Sequence, residues 1–388
     1  MFSARFHWDF RPNRITQALA EKRRAGARIL DLTESNPTRA SLTYPPEILR
    51  AFDDRRLLAY DPVPAGAAEA REAVARYYAA RGRTVGTASI LLTAGTSEAY
   101  AWLFKLLADA GDHVLVPRPS YPLFEFLANM ESIAVRSYPL AYHGGWAIDV
   151  DAFAAALSAR TRAVVLVNPN NPTGSYVKRA ELDAVSQLCA ARGIALISDE
   201  VFSDYALGPD PERVATLMDA GPCLTFSMSG LSKAAGLPQM KLGWIVAGGP
   251  EALRREAMEK LEWIADTYLS VGTPVQCAAA RLLAAGDSVQ REIRERTAAH
   301  LALARETLAG SAANPLTVEG GWYLTVQVPR IRSEEDWVLD LLARENVLVQ
   351  PGFFYDFDCE AFLIVSLLTA PEMFREGMAR LRRFVDAP

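Results

Sequence analysis

The chain is poor in the residues that staple a small fold or gather a metal: its 388 residues include 4 Cys and 4 His. Cys189, Cys223, Cys277 and Cys359 stand far apart and form no C-x-x-C pair. Structural zinc needs ligands at short spacing, so no metal is expected. The thiols read as free and buried, in a reducing compartment. A charge excess is also missing: 41 Lys plus Arg face 46 Asp plus Glu, a net charge of −5. That argues against nucleic acid as the main partner, because phosphate binding needs clustered basic residues. No apolar run approaches the ~18 residues of a membrane span. The opening MFSARFHWDFRPNR places charged and polar groups where a secretory leader is apolar. These absences lead to the expectation of a cytoplasmic protein with no membrane partner.

What is present is a globular composition, 50% hydrophobic and 22% charged, in a chain long enough for two or three domains. Short apolar runs such as Ala163 to Val167 and Ile194 to Ser198 alternate with helical patterns such as Ala67 to Ala80 and Lys178 to Ala191. Near-continuous apolar strands fit an α/β sheet covered on both faces. After Pro250 the pattern is helical for a long stretch, through to Leu308. Alternation in Trp322 to Val328, a helix near Glu334 to Arg344, further short strands and a last helix from Pro371 to Phe384 describe a smaller α+β lobe. The expected organisation is an N-terminal segment, 1–40, packing with the small domain, a large domain, 41–284, and a small C-terminal domain, 285–388.

Five local features follow one another along the large domain. Thr93-Ala94-Gly95-Thr96-Ser97 is a strand end, a glycine turn and a helix start, where free N–H groups and the helix dipole favour an anion. Tyr121 follows a strand, placed to stack on a flat ring. The run Asn168 to Gly174 is a rigid Pro/Gly turn able to aim Asn171 at a ligand. Asp199-Glu200 closes a buried strand, the end at which open α/β sheets bind ligands. Lys233 stands among small and apolar residues, where desolvation lowers an amine's pKa and makes it a nucleophile. Taken singly, each has a plainer reading: a helix cap, a packed aromatic, an Asx-turn, a solvated carboxylate, a solvated lysine.

In this order the features resemble the class I/II aminotransferases, fold-type-I pyridoxal-phosphate enzymes. The resemblance runs from about Asp31 to the C-terminus and rests most on Asn171-Pro172-Thr173-Gly174, Asp199-Glu200 and Ser232-Lys233. It implies a large, mainly parallel sheet covered by helices beside a smaller α+β domain. It also implies pyridoxal 5'-phosphate held on Lys233 as a Schiff base, with Lys233 as the proton shuttle at the substrate's Cα. Asp199 matches the acid facing the pyridine nitrogen, Asn171 the partner of the ring's 3′-oxygen, and Tyr121 the stacked aromatic. Gly95, Thr96 and Ser97 match the phosphate cradle, with Lys241 as a further phosphate contact. Tyr60 resembles the tyrosine reaching the phosphate of a neighbouring subunit, so a homodimer with shared active sites is implied. The catalytic set is then Lys233, Asp199 and Tyr121. The implied reaction moves an amino group between an amino acid, or related amine, and a 2-oxo acid.

The sequence departs from that pattern in four places. Phe202 replaces a tyrosine that bonds the 3′-oxygen, which predicts a raised pKa for the cofactor linkage. Lys241 stands where an arginine usually clamps the phosphate, losing the bidentate fork. Gly230 stands where a phosphate-binding serine is common, leaving Ser229 or Ser227 to compensate. Ile364 falls where the family's arginine forks the substrate carboxylate, and Arg39 is the substitute expected beside Asn171 in the substrate site. The aromatic stretches Gly320 to Tyr323 and Pro351 to Tyr355 suggest an apolar substrate pocket. The alternatives are a lyase or synthase on the same fold, of the C–S lyase or aminocyclopropane-carboxylate-synthase kind, and an aminotransferase-like ligand sensor. The sensor lacks room for a DNA-binding domain ahead of the fold.

Overall fold

A computed structural model describes residues 1–6 and 8–387. Its largest sheet has eight strands, in the spatial order Ile90–Thr93, Gly243–Gly248, Thr225–Gly230, Ala195–Asp199, Thr161–Val167, His113–Arg118, Ala134–Tyr142, Trp146–Ile148. The strands from Thr225–Gly230 to Ala134–Tyr142 pair in parallel. The sheet is antiparallel at both ends, where Gly243–Gly248 runs against its two neighbours and Trp146–Ile148 folds back on Ala134–Tyr142. Burial explains the apolar strands. Val164 and Leu166 face one core, with Leu182 and Val185 of the helix Arg179–Ala190, while Val165 and Val167 face another, with Leu103 and Leu261. Alternate residues point to opposite faces, and both faces are covered by helices.

The smaller sheet orders Asn314–Pro315, Tyr323–Gln327, Phe362–Ser366 and Gln350–Pro351, all antiparallel. One face packs on the helices Glu334–Glu345 and Pro371–Asp386 through Leu324, Val326, Leu363, Val365, Trp337 and Phe374. Ile15, Leu30 and Leu32 enter the same core, and Leu30–Asp31 pairs in parallel with Val347–Leu348. The helical stretch after Pro250 is two helices, Glu251–Tyr268 and Thr273–Thr307, rather than one. Gly272 precedes the second, and Pro274 sits in its first turn, where a missing N–H costs nothing. This second helix, 35 residues long, packs Val275, Ala278 and Leu282 against the large sheet's helices and Leu301 and Ala304 into the small-lobe core. Position 285 lies within it.

Two further features differ from the sequence reading. The helix Arg14–Arg24 was not read from the sequence, although Ile15, Ala18 and Leu19 form a short apolar stripe that packs on the small-lobe core. Among the cysteines Cys189 and Cys223 are buried, whereas Cys277 is half-buried and Cys359 is exposed, and all are free.

Candidate active site

The carboxyl ends of the central strands and the loops that follow them open into a cleft of about 230 Å³. Thr96, Ser97, Tyr121, Asn171, Asp199, Phe202 and Lys233 all line it. Their convergence follows from parallel pairing, which brings successive strand ends to one edge of the sheet.

At one end, the 12-residue helix Thr96–Leu107 begins on Gly95, with Ala94 N–H donating to Glu98 Oε2 at 2.7 Å. A Cβ at Gly95 would stand 3.6 Å from Lys241 Nζ, so the Lys241 ammonium lies over the turn that starts the helix. Free N–H groups, the Thr96 and Ser97 hydroxyls and an ammonium are thus gathered at this turn, a donor set suited to a phosphate. Gly230 is explained sterically: a Cβ there would meet the Leu242 carbonyl oxygen at 2.9 Å and Gly243 Cα at 3.0 Å. The two serines divide. Ser227 Oγ is committed to Glu200 Oε1 at 3.0 Å, while Ser229 Oγ is buried and has no hydrogen-bond partner among the described residues.

The loop after Thr161–Val167 carries three asparagines with different fates. Asn168 donates to the Val214 carbonyl at 2.8 Å and accepts from Val177 N–H at 3.0 Å. Asn170 ties the loop to Pro119 and Ser120, at 3.0 and 3.2 Å. Asn171 makes no side-chain hydrogen bond among the described residues, and its buried Oδ1 is unpartnered. Gly174 closes the turn at φ +70°, where a Cβ would lie 2.1 Å from Val318 Cγ2, so only glycine fits. Local turn chemistry thus spends two amides on structure and leaves one for the cleft.

Asp199 and Glu200 are adjacent but differ in role. Glu200 Oε1 accepts from Ser198, Thr216 and Ser227 hydroxyls and from Leu217 N–H, at 2.8 to 3.1 Å, and has no place in the cleft. Among the described residues, the Asp199 carboxylate accepts only from Tyr100 hydroxyl at 3.1 Å and Val201 N–H at 3.2 Å. Burial raises the Asp199 pKa to about 6, against the lowering effect of those bonds and of Lys233. Lys233 keeps some surface on the cleft, but its amine is packed in, 4.5 Å from the Trp322 ring centre and 5.4 Å from that of Phe202. Burial lowers its pKa to about 8, and the Asp199 charge only partly offsets this.

A flat, phosphorylated pyridine aldehyde fits these donors. Among the described residues, the unpartnered Asn171 amide, the unpartnered Ser229 hydroxyl and the half-buried, half-satisfied Asp199 are groups that lack something in the protein alone. Tyr100 and Ser35 also line the cleft and were not anticipated, whereas Tyr323 belongs to the Gly320 to Tyr323 stretch expected at the pocket. Tyr100 had a signal, since it lies four residues beyond Thr96 on the same helix face. Ser35 comes from the N-terminal segment, and no local pattern marks it.

Three expected residues stand elsewhere. Arg39 ends a short 3-10 turn, Pro37–Arg39, is exposed and does not line the cleft. Tyr60 is 78% exposed and borders a second cavity with Trp102, Leu269 and Gln276. Ile364 is 1% exposed in an apolar cluster with Trp146, Tyr355, Phe357 and Phe362. The position expected to face a substrate carboxylate is therefore filled core.

The family model for aminotransferase class I and II matches residues 27–381. Glutamate-pyruvate aminotransferase AlaA of Escherichia coli strain K12 is 29% identical over 379 residues, covering 93% of this chain and 91% of that protein. The tyrosine aminotransferase of Bos taurus is 27% identical over 349 residues, 87% of this chain and 76% of its own. An Escherichia coli aminotransferase crystal structure superposes with TM-score 0.87 at 25% identity, over 100% of this chain and 98% of that one. The alanine aminotransferase of Pyrococcus furiosus superposes with TM-score 0.89 at 22% identity over the whole of both chains, a likeness of fold.

Proposed function

The chain belongs to the class I and II aminotransferase family, and from that premise we propose a cytoplasmic homodimer that holds pyridoxal 5'-phosphate on Lys233. It moves an amino group between an amino acid, or related amine, and a 2-oxo acid. The observation that carries this reading is the meeting of the Lys233 amine, the Asp199 carboxylate and the uncommitted Asn171 amide in one cleft.

The coenzyme, when bound, supplies an aldehyde that joins to amines and a ring that takes up the electrons left at the substrate's Cα. The protein does the rest. With a pKa near 8, Lys233 Nζ keeps an unprotonated, nucleophilic fraction at neutral pH. The same nitrogen would serve as the base that carries the proton away from the substrate's Cα. Asp199 is half-buried, its carboxylate desolvated and short of donors, so a cation opposite it would stabilise its charge and it would keep a ring nitrogen protonated. Asn171 would donate to the ring oxygen and Tyr121 would stack on the ring. Gly95, Thr96, Ser97 and Lys241 would hold the phosphate, with Ser229 rather than Ser227 as the added hydroxyl.

Leu58, Tyr60, Trp263 and Tyr268 are exposed apolar side chains of the large lobe. Covering them in a homodimer would remove them from water and bring Tyr60 to the partner's phosphate. Adding an amino donor alone to the yellow, coenzyme-loaded protein should bleach it, and a 2-oxo acid should restore the colour. Release of ammonia and a 2-oxo acid with no acceptor present would overturn the assignment.

A further inference from the structure

Lys233 lies in a four-residue helix, Leu231–Ala234, whose last carbonyls have no helical partner. Side chains from three separate elements cap them. Tyr205 hydroxyl donates to the Lys233 carbonyl at 2.5 Å, where the Gly236 N–H reaches only to 3.4 Å. Gln290 Nε2, on the helix joining the lobes, donates to the Ala234 carbonyl at 2.8 Å. Tyr44 hydroxyl donates to the Gly236 carbonyl at 2.7 Å.

Two of these caps trace back to the turn that follows Asp199. Tyr205 belongs to it. Its neighbour Asp204 accepts from Gln290 Nε2 at 2.8 Å, Tyr77 hydroxyl at 2.6 Å and Arg81 Nε at 2.6 Å. The turn is itself closed, with Ser203 N–H bonded to the Glu200 carbonyl at 3.0 Å and Tyr205 N–H to the Phe202 carbonyl at 2.9 Å. The Tyr205 ring is fully buried, packed edge-on to Trp322 with centres 5.1 Å apart. A short, hydrogen-bonded path therefore runs from the acid at one end of the turn to the backbone of the amine.

We propose that Tyr205 is a positioning residue: its bond to the Lys233 carbonyl fixes the amine relative to Asp199. This rests on the reading of Lys233 as the working amine. Transfer of a proton demands reach within a few tenths of an ångström, so a loosened backbone slows the step without weakening substrate binding. Among the described residues the charged group acting on the amine is Asp199, and the rings of Phe202 and Trp322 lie beside it.

The test compares Tyr205→Phe with Tyr44→Phe, which removes a similar cap three residues further on. In Y205F, kcat should fall about tenfold while KM for the amino donor changes less than about twofold. In the full chain without coenzyme, the pH midpoint for Lys233 labelling by an amine reagent, read by peptide mass, should rise by at least about half a unit as water reaches the amine. Y44F should lose comparable thermal stability and leave the midpoint in place. Equal effects of the two variants, or an unmoved midpoint in Y205F, would overturn the proposal. Should Y205F fail to fold, Gln290→Met cuts the parallel link to Ala234 and must move the midpoint in the same direction. The labelling does not depend on coenzyme, so borohydride trapping in the unaltered protein reports separately on the proposed function.

Discussion

On the large-sheet side of the cleft, Asp199, Asn171 and Lys233 sit on closed turns at strand ends, among groups already bonded to one another. On the facing side, Tyr323 projects from the strand Tyr323–Gln327, Ser35 from the N-terminal segment, and Ile364 lies behind them in an aromatic cluster. The first wall presents unsatisfied polar groups, whereas the second is largely filled and apolar. A wall of the first kind dictates chemistry, because each uncommitted donor or acceptor needs a specific partner. A wall of the second kind selects by shape and hydrophobicity, where each methylene decides only about 1–3 kcal/mol.

If that contrast is right, the largest effects lie on the polar wall. Asp199→Asn should lower kcat/KM about 100- to 1000-fold, in steady-state assays, by removing the charge opposite the ring. The same change should stabilise the coenzyme-free protein near neutral pH. Native Asp199, with its pKa near 6 against an ordinary 3.8, holds more protons than the unfolded chain between those values. Its burial therefore costs stability as pH rises through that window. Chemical denaturation should show Asp199→Asn gaining on the unaltered chain from pH 4 to 6, by on the order of 1–3 kcal/mol, and then levelling off. A constant difference across that range would remove the unsatisfied acid from the account.

Lys241→Ala should come next, weakening coenzyme binding about tenfold or more in equilibrium titration, with Lys241→Arg milder because charge is retained. Across the cleft, donors with apolar or aromatic side chains should exceed acidic ones in kcat/KM by about tenfold. A preference for glutamate or aspartate in a substrate screen would break the contrast, since it would require a cation on the wall built around Ile364. The smallest expected change is Phe202→Tyr. A hydroxyl restored at this buried ring should lower the pH midpoint of the bound coenzyme's colour by about one unit, read by absorbance titration.

The same contrast explains what the sequence disclosed. The polar wall was legible because its turns are local: Gly174, the prolines beside Asn171 and the end of a buried strand at Asp199 each carry their own signal within a few residues. The chain alone did not show which asparagine stays uncommitted, because that depends on Val214, Pro119 and Ser120 from distant segments. Large-sheet strands and their helices were readable from apolar runs closed by turns. The hairpin strand Trp146–Ile148 was passed over although Gly144-Gly145 marked its turn. The apolar wall was the least legible. Arg39 was expected in the substrate site on the strength of its neighbours, yet its turn leaves it exposed and outside the cleft, and Tyr323 enters by strand pairing across the small lobe.

The most direct test of the account is to saturate the purified protein with pyridoxal 5'-phosphate, reduce it with borohydride and locate the added mass by peptide sequencing. The account predicts near-stoichiometric label on Lys233. Label on Lys241 alone, or none after the bound colour has been reduced, would contradict it.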